Sequence, residues 1–296
     1  MDSAPAPPLS SYVKSWHPAA TTDADALPPG PAAALSAALD LPEPAAGPGD
    51  PLPPLWHWLY FLQWPAQREL GPDGHLRDAR FLPPIPDRQR MFAGGRCEVV
   101  EPLRIGEPAE RICSLSAVTP KRGRSGELLF ATERREFRQS GRTCLVEEQD
   151  IVYRSGRGAA ARHPATLGTS TPDTSTRPHS DAPWQLPAKP DERLLFRISA
   201  LTANAHRIHY DAPYCRDVEG YPGLVVHGPL LALLMLELVR VNSPQWTVRS
   251  LSYRLRSPAF VGEHLLATGA RTADGAELSV ATHREARHAT AEVRFA

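Results

Sequence analysis

Asn204 and His209 stand five residues apart in Leu201-Thr-Ala-Asn-Ala-His-Arg-Ile-His-Tyr-Asp211, with His206, Arg207, Tyr210 and Asp211 around them. A neutral imidazole exchanges protons near neutral pH, and an amide beside it can position water through its carbonyl and NH2 groups. Together the two side chains suit the activation of a water molecule. Further along, Gly220-Tyr-Pro-Gly-Leu-Val-Val-His-Gly-Pro229 runs directly into the apolar stretch Leu230–Arg240. Gly228 therefore falls at a helix start, where the first N–H groups lack an intrahelical partner and the dipole favours negative charge. Pro229 suits the first turn, where its missing N–H costs nothing. A carbonyl oxygen bound at Gly228 would be polarised as an oxyanion. The plain readings stay open: a glycine chosen for close packing, and histidines that are structural.

These residues need elements to position them. The stretch Leu230-Leu-Ala-Leu-Leu-Met-Leu-Glu-Leu-Val-Arg240 is apolar on nearly every face, so the helix must be wrapped, and a curved antiparallel sheet would do this. Strands are expected around Val248–Leu255, over 265–271 and 277–282, and from Ala289 to Phe295, separated by turns such as Thr272-Ala-Asp-Gly275. Ahead of the catalytic candidates, Leu194-Leu-Phe-Arg-Ile-Ser199 reads as a strand-like lead-in. The first half repeats the series: Ile105-Gly-Glu107 echoes Val261-Gly-Glu263, and Glu127-Leu-Leu-Phe-Ala-Thr132 echoes Glu277-Leu-Ser-Val-Ala-Thr282, with a longer hairpin around Lys121–Gly126. An internal duplication of an α+β unit fits both halves. Leu55-Trp-His-Trp-Leu-Tyr-Phe-Leu-Gln-Trp64 is the first-half counterpart of the apolar helix, with aromatic bulk in place of leucine. A segment rich in Ser, Thr and Pro, residues 159–190, has a linker composition and divides the chain into units 1–158 and 191–296.

Composition narrows the function further. The 296 residues carry 33 Lys+Arg and 33 Asp+Glu, so no overall field favours nucleic acid or an acidic membrane. No run approaches the ~18 apolar residues of a membrane span, and the N-terminus lacks the features of a secretory signal; a soluble cytoplasmic protein is expected. The four cysteines, Cys97, Cys113, Cys144 and Cys215, form no close pairs and read as buried free thiols.

The two stretches from Ser199 to Asp211 and from Glu219 to Pro229 resemble the MaoC-type acyl dehydratases and (R)-specific enoyl-CoA hydratases, closest in the double hot-dog branch that includes hydroxyacyl-thioester dehydratase type 2 and the mesaconyl-CoA and itaconyl-CoA hydratases. The resemblance implies an α+β double hot-dog fold, each half an antiparallel sheet wrapped around a central helix. It implies reversible addition of water across the double bond of an α,β-unsaturated acyl-CoA, such as a short dicarboxylic one, with no metal and no cofactor. The wider family writes its motif Asp-x-Asn-Pro-x-His; here His209 holds the His position, while Asn204, His206 and Arg207 replace Asp, Asn and Pro. Asn204 cannot be a general base, so His209 is expected to transfer the proton while Asn204 orients water or substrate and Gly228 polarises the thioester carbonyl. Arg207, Tyr221, His227, Arg254 and Arg256 are the substrate-binding candidates, the arginines as cations for a free carboxylate or CoA phosphates. The first half has no Asn-x-x-x-x-His motif, so it is expected to build much of the acyl groove while the second half carries catalysis. The alternatives are a β-hydroxyacyl carrier-protein dehydratase and a non-catalytic acyl-thioester-binding module. A thioesterase of this fold is disfavoured for want of an acidic residue at the expected helix centre. A homodimer is expected from exposed sheet edges.

Overall fold

The computed structural model describes residues 7–123, 126–155 and 172–296. Its strands are β1 (Thr21–Asp25), β2 (Arg88–Val99), β3 (Ala109–Gly123), β4 (Gly126–Gln139), β5 (Arg142–Ser155), β6 (Trp184–Ala188), β7 (Val248–Leu255), β8 (Leu265–Arg271), β9 (Gly275–Ala281) and β10 (Ala289–Phe295). Its helices are α1 (Leu9–Val13), α2 (Pro29–Ala38), α3 (Glu192–Leu201), the short α4 (Ala212–Tyr214) and α5 (Gly228–Asn242). The strands form one ten-stranded sheet in the order β1-β3-β4-β5-β2-β7-β10-β9-β8-β6, with every pairing antiparallel.

Read from either outer edge inwards, the order is the same: edge strand, hairpin, then two strands that return to the centre. The duplication expected from the sequence is therefore present as topology, and the halves meet where β2 pairs with β7 from Gly94↔Arg254 to Glu98↔Ser250. Gly106 and Gly262 occupy matching turns, at φ 85° and 84°, before β3 and β8. The second echo is out of register. The first hairpin is the longer, and counting back from the bases of the two hairpins places Arg134, not Glu127, opposite Glu277.

The central helix differs between the halves. In the second, every residue of α5 from Leu230 to Val239 is buried, because a stripe of leucines around its whole circumference has to face protein on all sides. Strands β8, β9 and β10 pack around it, as does β6. In the first half the corresponding place holds only a 3-10 helix, Trp56–Leu59. Pro53 and Pro54 precede it, Leu55 turns in the left-handed region at φ 69°, and Pro65 follows closely, so a long helix has no room to propagate. In its place Glu147 of β5 takes hydrogen bonds from Trp58 Nε1 at 2.8 Å and Gln149 Nε2 at 3.0 Å and pairs with His57 Nε2 at 3.1 Å. Burial works to raise the Glu147 pKa, but His57, Arg135 and these bonds outweigh it and hold the carboxylate ionised.

Two expectations are corrected. The lead-in over residues 194–199 is helical: Asp191 caps α3 by accepting the Leu194 N–H at 2.9 Å, and Leu195 and Ile198 are buried while Phe196 between them is 68% exposed, a three-to-four-residue period. The span read as a linker, 159–190, ends in β6, which is the edge strand of the second half and pairs with β8. That half therefore begins before residue 191; residues 159–171 lie outside the described ones. All four cysteines are buried and free.

Candidate active site

Ala203 adopts a left-handed conformation at φ 49° just after α3, turning the chain sharply into Asn204. The Asn204 Oδ1 accepts the His206 N–H at 3.0 Å, so its carbonyl is committed to the turn and its NH2 is the group left to act. A 3-10 turn, Arg207–His209, then delivers His209, which is buried. Its Nδ1 lies 2.7 Å from the Val225 carbonyl oxygen. A carbonyl can only accept, so Nδ1 carries the hydrogen and Nε2 keeps its lone pair. Burial pushes the His209 pKa down to about 4, against the opposing effect of the Val225 carbonyl and with a further lowering from His75. The ring is thus neutral near pH 7 and its free nitrogen is a base.

His209 and Gly228 share the wall of a cavity of about 2280 Å³, to which Asn204, Tyr221 and Arg256 also contribute. Gly228 opens α5, and its N–H makes no hydrogen bond among the described residues. The side chain of Leu255 seats against this position: a Cβ added to Gly228 would lie 2.5 Å from Leu255 Cδ1. The glycine lets the helix start sit flush on β7.

Three predicted binding residues fall elsewhere. His227 does not line the cavity; it lies against His209, the two rings stacked at 3.6 Å between centroids and 15° between planes, and its Nε2 is 2.9 Å from Ser199 Oγ. Burial first, then the neighbouring His209 and His206 rings, which disfavour a further proton, hold its pKa well below the ordinary value, so it is a neutral backing plate for His209. Arg207 is committed to Asp211 at 2.6 Å, to the Pro72 carbonyl and to the face of the Tyr214 ring. Arg254 is exposed on β7 and does not line the cavity, because its neighbours in the strand, Tyr253 and Leu255, take the inward positions. Glu237, the acid on α5, is buried with Arg240 at 2.7 Å and off the cavity wall.

The first half contributes groups that sequence reasoning missed. The loop 71–75 docks on the segment that carries Asn204 and His209: Arg207 N–H donates to the Asp73 carbonyl at 2.9 Å, and Gly74, at φ 93°, passes so close to Ala205 that a Cβ would lie 1.9 Å from its carbonyl oxygen. The Asp73 Oδ2 pairs with His75 Nδ1 at 3.0 Å, and the His75 ring lies 4.1 Å from that of His206. Asp73, His75 and His206 bring their ligand atoms within 4.8 Å of one another, a group able to hold a transition metal. The one signal in the sequence was Pro72-Asp-Gly-His75, a turn that ends on a histidine.

The sequence profile of the family "Htd2: Hydroxyacyl-thioester dehydratase type 2" matches residues 55–261, a span that takes in the loop 71–75, both site stretches and α5. The chain belongs to this family. Its relatives include the mesaconyl-C(4)-CoA hydratase of Chloroflexus aurantiacus, 48% identical over 231 residues that cover 77% of this chain and 79% of that protein. The mitochondrial hydroxyacyl-thioester dehydratase type 2 of Schizosaccharomyces pombe is 29% identical over 72% of this chain and 76% of that one. Among solved structures, HtdX of Mycobacterium tuberculosis superposes with a TM-score of 0.62 at 12% identity, covering 94% of this chain and all of that one, which supports the double hot-dog fold. Family membership makes the protein a hydro-lyase acting on acyl thioesters. None of the helices in the described residues is long and apolar enough to cross a membrane.

Proposed function

We propose that this hydro-lyase adds water reversibly across the double bond of a short dicarboxylic α,β-unsaturated acyl-CoA of the mesaconyl-C4-CoA type. The observation that carries the reading is the basic Nε2 of neutral His209, held towards a cavity that also receives the free N–H of Gly228. With the thioester carbonyl at Gly228, His209 takes a proton from water as the hydroxyl oxygen bonds to the β-carbon. The enolate oxygen that forms is stabilised by the N–H at the start of α5, and the proton then passes from His209 to the α-carbon. Water is consumed whole, and no redox partner enters the balance. The Asn204 NH2 orients the water or the acyl group, and Arg256, at the cavity wall, is placed to meet a CoA phosphate.

A cytoplasmic setting and a homodimer belong to the same proposal. The central pairing of β2 with β7 is made within one chain, so a second copy would dock through another surface, which light scattering on the purified protein would test.

The test of activity is the loss of enoyl-thioester absorbance with mesaconyl-C4-CoA and crotonyl-CoA. His209→Ala is expected to lower kcat by at least about 1,000-fold, and Asn204→Ala by roughly 10- to 100-fold. Equal activity in both variants and the wild type would overturn the mechanism. Turnover of carrier-protein thioesters alone would move the substrate to that class.

A further inference from the structure

Three side chains of metal-ligating type meet where the two halves touch. Asp73 and His75 lie on the loop 71–75 of the first half, His206 stands between Asn204 and His209 in the second, and all three line the cavity. Among the described residues no other set of three His, Cys, Asp or Glu side chains brings its ligand atoms so close together. Two imidazole nitrogens and a carboxylate oxygen suit a borderline divalent ion such as Zn2+, and three protein ligands leave a fourth position for water. The sequence points the same way. His206 holds the place where the wider motif writes Asn, so a ligand type stands at a position whose ring lies 4.1 Å from that of His75.

The geometry is close to what an ion requires. Tetrahedral Zn2+ with bonds of about 2.0–2.2 Å sets its ligand atoms roughly 3.3 Å apart. The Asp73 Oδ2–His75 Nδ1 separation is 3.0 Å, and no pair within the trio exceeds 4.8 Å, so the remaining adjustment is of the size that side-chain rotation supplies. The backbone around the ligands is already fixed. The His75 N–H donates to Asp73 Oδ1 at 3.0 Å, the Arg207 N–H to the Asp73 carbonyl at 2.9 Å, and the His206 N–H to Asn204 Oδ1 at 3.0 Å. Bonds of this kind orient ligands before the ion arrives and lower the ordering cost of binding. The ion-pair partner of Asp73 among the described residues is His75, and no Lys or Arg neutralises it there. An ion would take the place of the hydrogen between Oδ2 and Nδ1; the neutral His75 ring then carries its proton on Nε2 and turns the Nδ1 lone pair to the metal.

We propose that Asp73, His75 and His206 form a site for a divalent first-row transition ion, Zn2+ foremost, which ties the loop 71–75 of the first half to the segment that carries Asn204 and His209. The family resemblance implied no metal, so the site is an addition to the hydratase reading, and no step of the proposed addition of water passes through it. The experiment is a calorimetric Zn2+ titration of the chelator-treated full chain, with thermal unfolding at each metal concentration and Co2+ as a spectroscopic probe of coordination. One ion per chain is expected, with a Kd of about 1 µM or tighter. At roughly 100 times that Kd, Tm should rise by about 5 °C. His206→Asn, Asp73→Asn and His75→Gln are each expected to weaken binding by at least about 100-fold and to remove the rise in Tm. His283→Gln, which deletes an exposed histidine away from the cavity, should keep both. Bound Co2+ should show the intense visible bands of a low coordination number in the wild type and lose them in His206→Asn.

No binding at about 100 µM Zn2+, binding that survives undiminished in the folded ligand variants, or a Tm that stays still at saturation would overturn the proposal. Circular dichroism establishes folding, and should one ligand variant not fold, the other two decide. Because binding and Tm are the readouts, failure of the metal site leaves the hydratase reading standing, and a protein inactive on every thioester leaves the metal site standing.

Discussion

The Val225 carbonyl decides which nitrogen of His209 holds the hydrogen, and the surrounding apolar packing decides that the ring stays neutral. The consequence is a ring nitrogen that keeps its lone pair well below the pH at which a solvated histidine would be protonated. The pH profile of kcat/KM is accordingly expected to be flat from about pH 8 to pH 5.5 and to fall only towards the depressed pKa of about 4. An acid limb centred near 6.5 would mean that His209 is solvated or is not the base. The stacked His227 suits the proposed mechanism because, being neutral itself, it would not repel an imidazolium formed at His209. At this scale the gathering of Asn204, His209 and Gly228 at one cavity was legible in the sequence because proton-handling types lie close together along the chain. The surroundings of Arg207, Arg254 and His227 were not, since partners such as the Pro72 carbonyl and Ser199 of α3 come from other elements.

Between elements, the decisive contact is the loop 71–75 pressed against the segment that carries Asn204 and His209. Gly74→Ala would drive a Cβ into the Ala205 carbonyl oxygen at a positive φ, and backbone cannot yield as a flexible side chain can. The variant is expected to lose about 2 kcal/mol or more of stability and at least about 10-fold in kcat/KM. Gly49→Ala is the control, since Gly49 has a comparable φ of 83° but nothing within 4 Å of its Cβ position; it is expected to cost about 1 kcal/mol with unchanged kinetics. Denaturant midpoints and initial rates check both. The strands of the second half and α5 were readable because alternation and an all-round apolar stretch are local signals. The loop was not, as Pro72-Asp-Gly predicts a turn and says nothing of what the turn will touch. Helix α3 was misread because a run of apolar residues suits either period, and its cap, Asp191, settles the matter only when its side chain is seen to accept the Leu194 N–H.

Across the whole molecule, the depressed histidines link folding to pH. His209 and His206 remain neutral in the folded state far below the ordinary value of 6.5, whereas the unfolded chain takes up protons there. Stability is therefore full above about pH 6.5 and declines as the pH falls towards 4, His209 alone contributing on the order of 3 kcal/mol. Urea midpoints at pH 7.5 and pH 5 should show the decline, and His206→Asn should make it shallower; a midpoint that rises on acidification would contradict the assignment. The same large-scale view gives the seam of β2 with β7 a further meaning. Two hot-dog units on separate chains would find each other by collision, and dilution would part them. Joined in one polypeptide, each unit meets the other at an effective concentration fixed by the chain, independent of how much protein is present. A cavity walled by both halves is then complete in every molecule at any abundance in the cell.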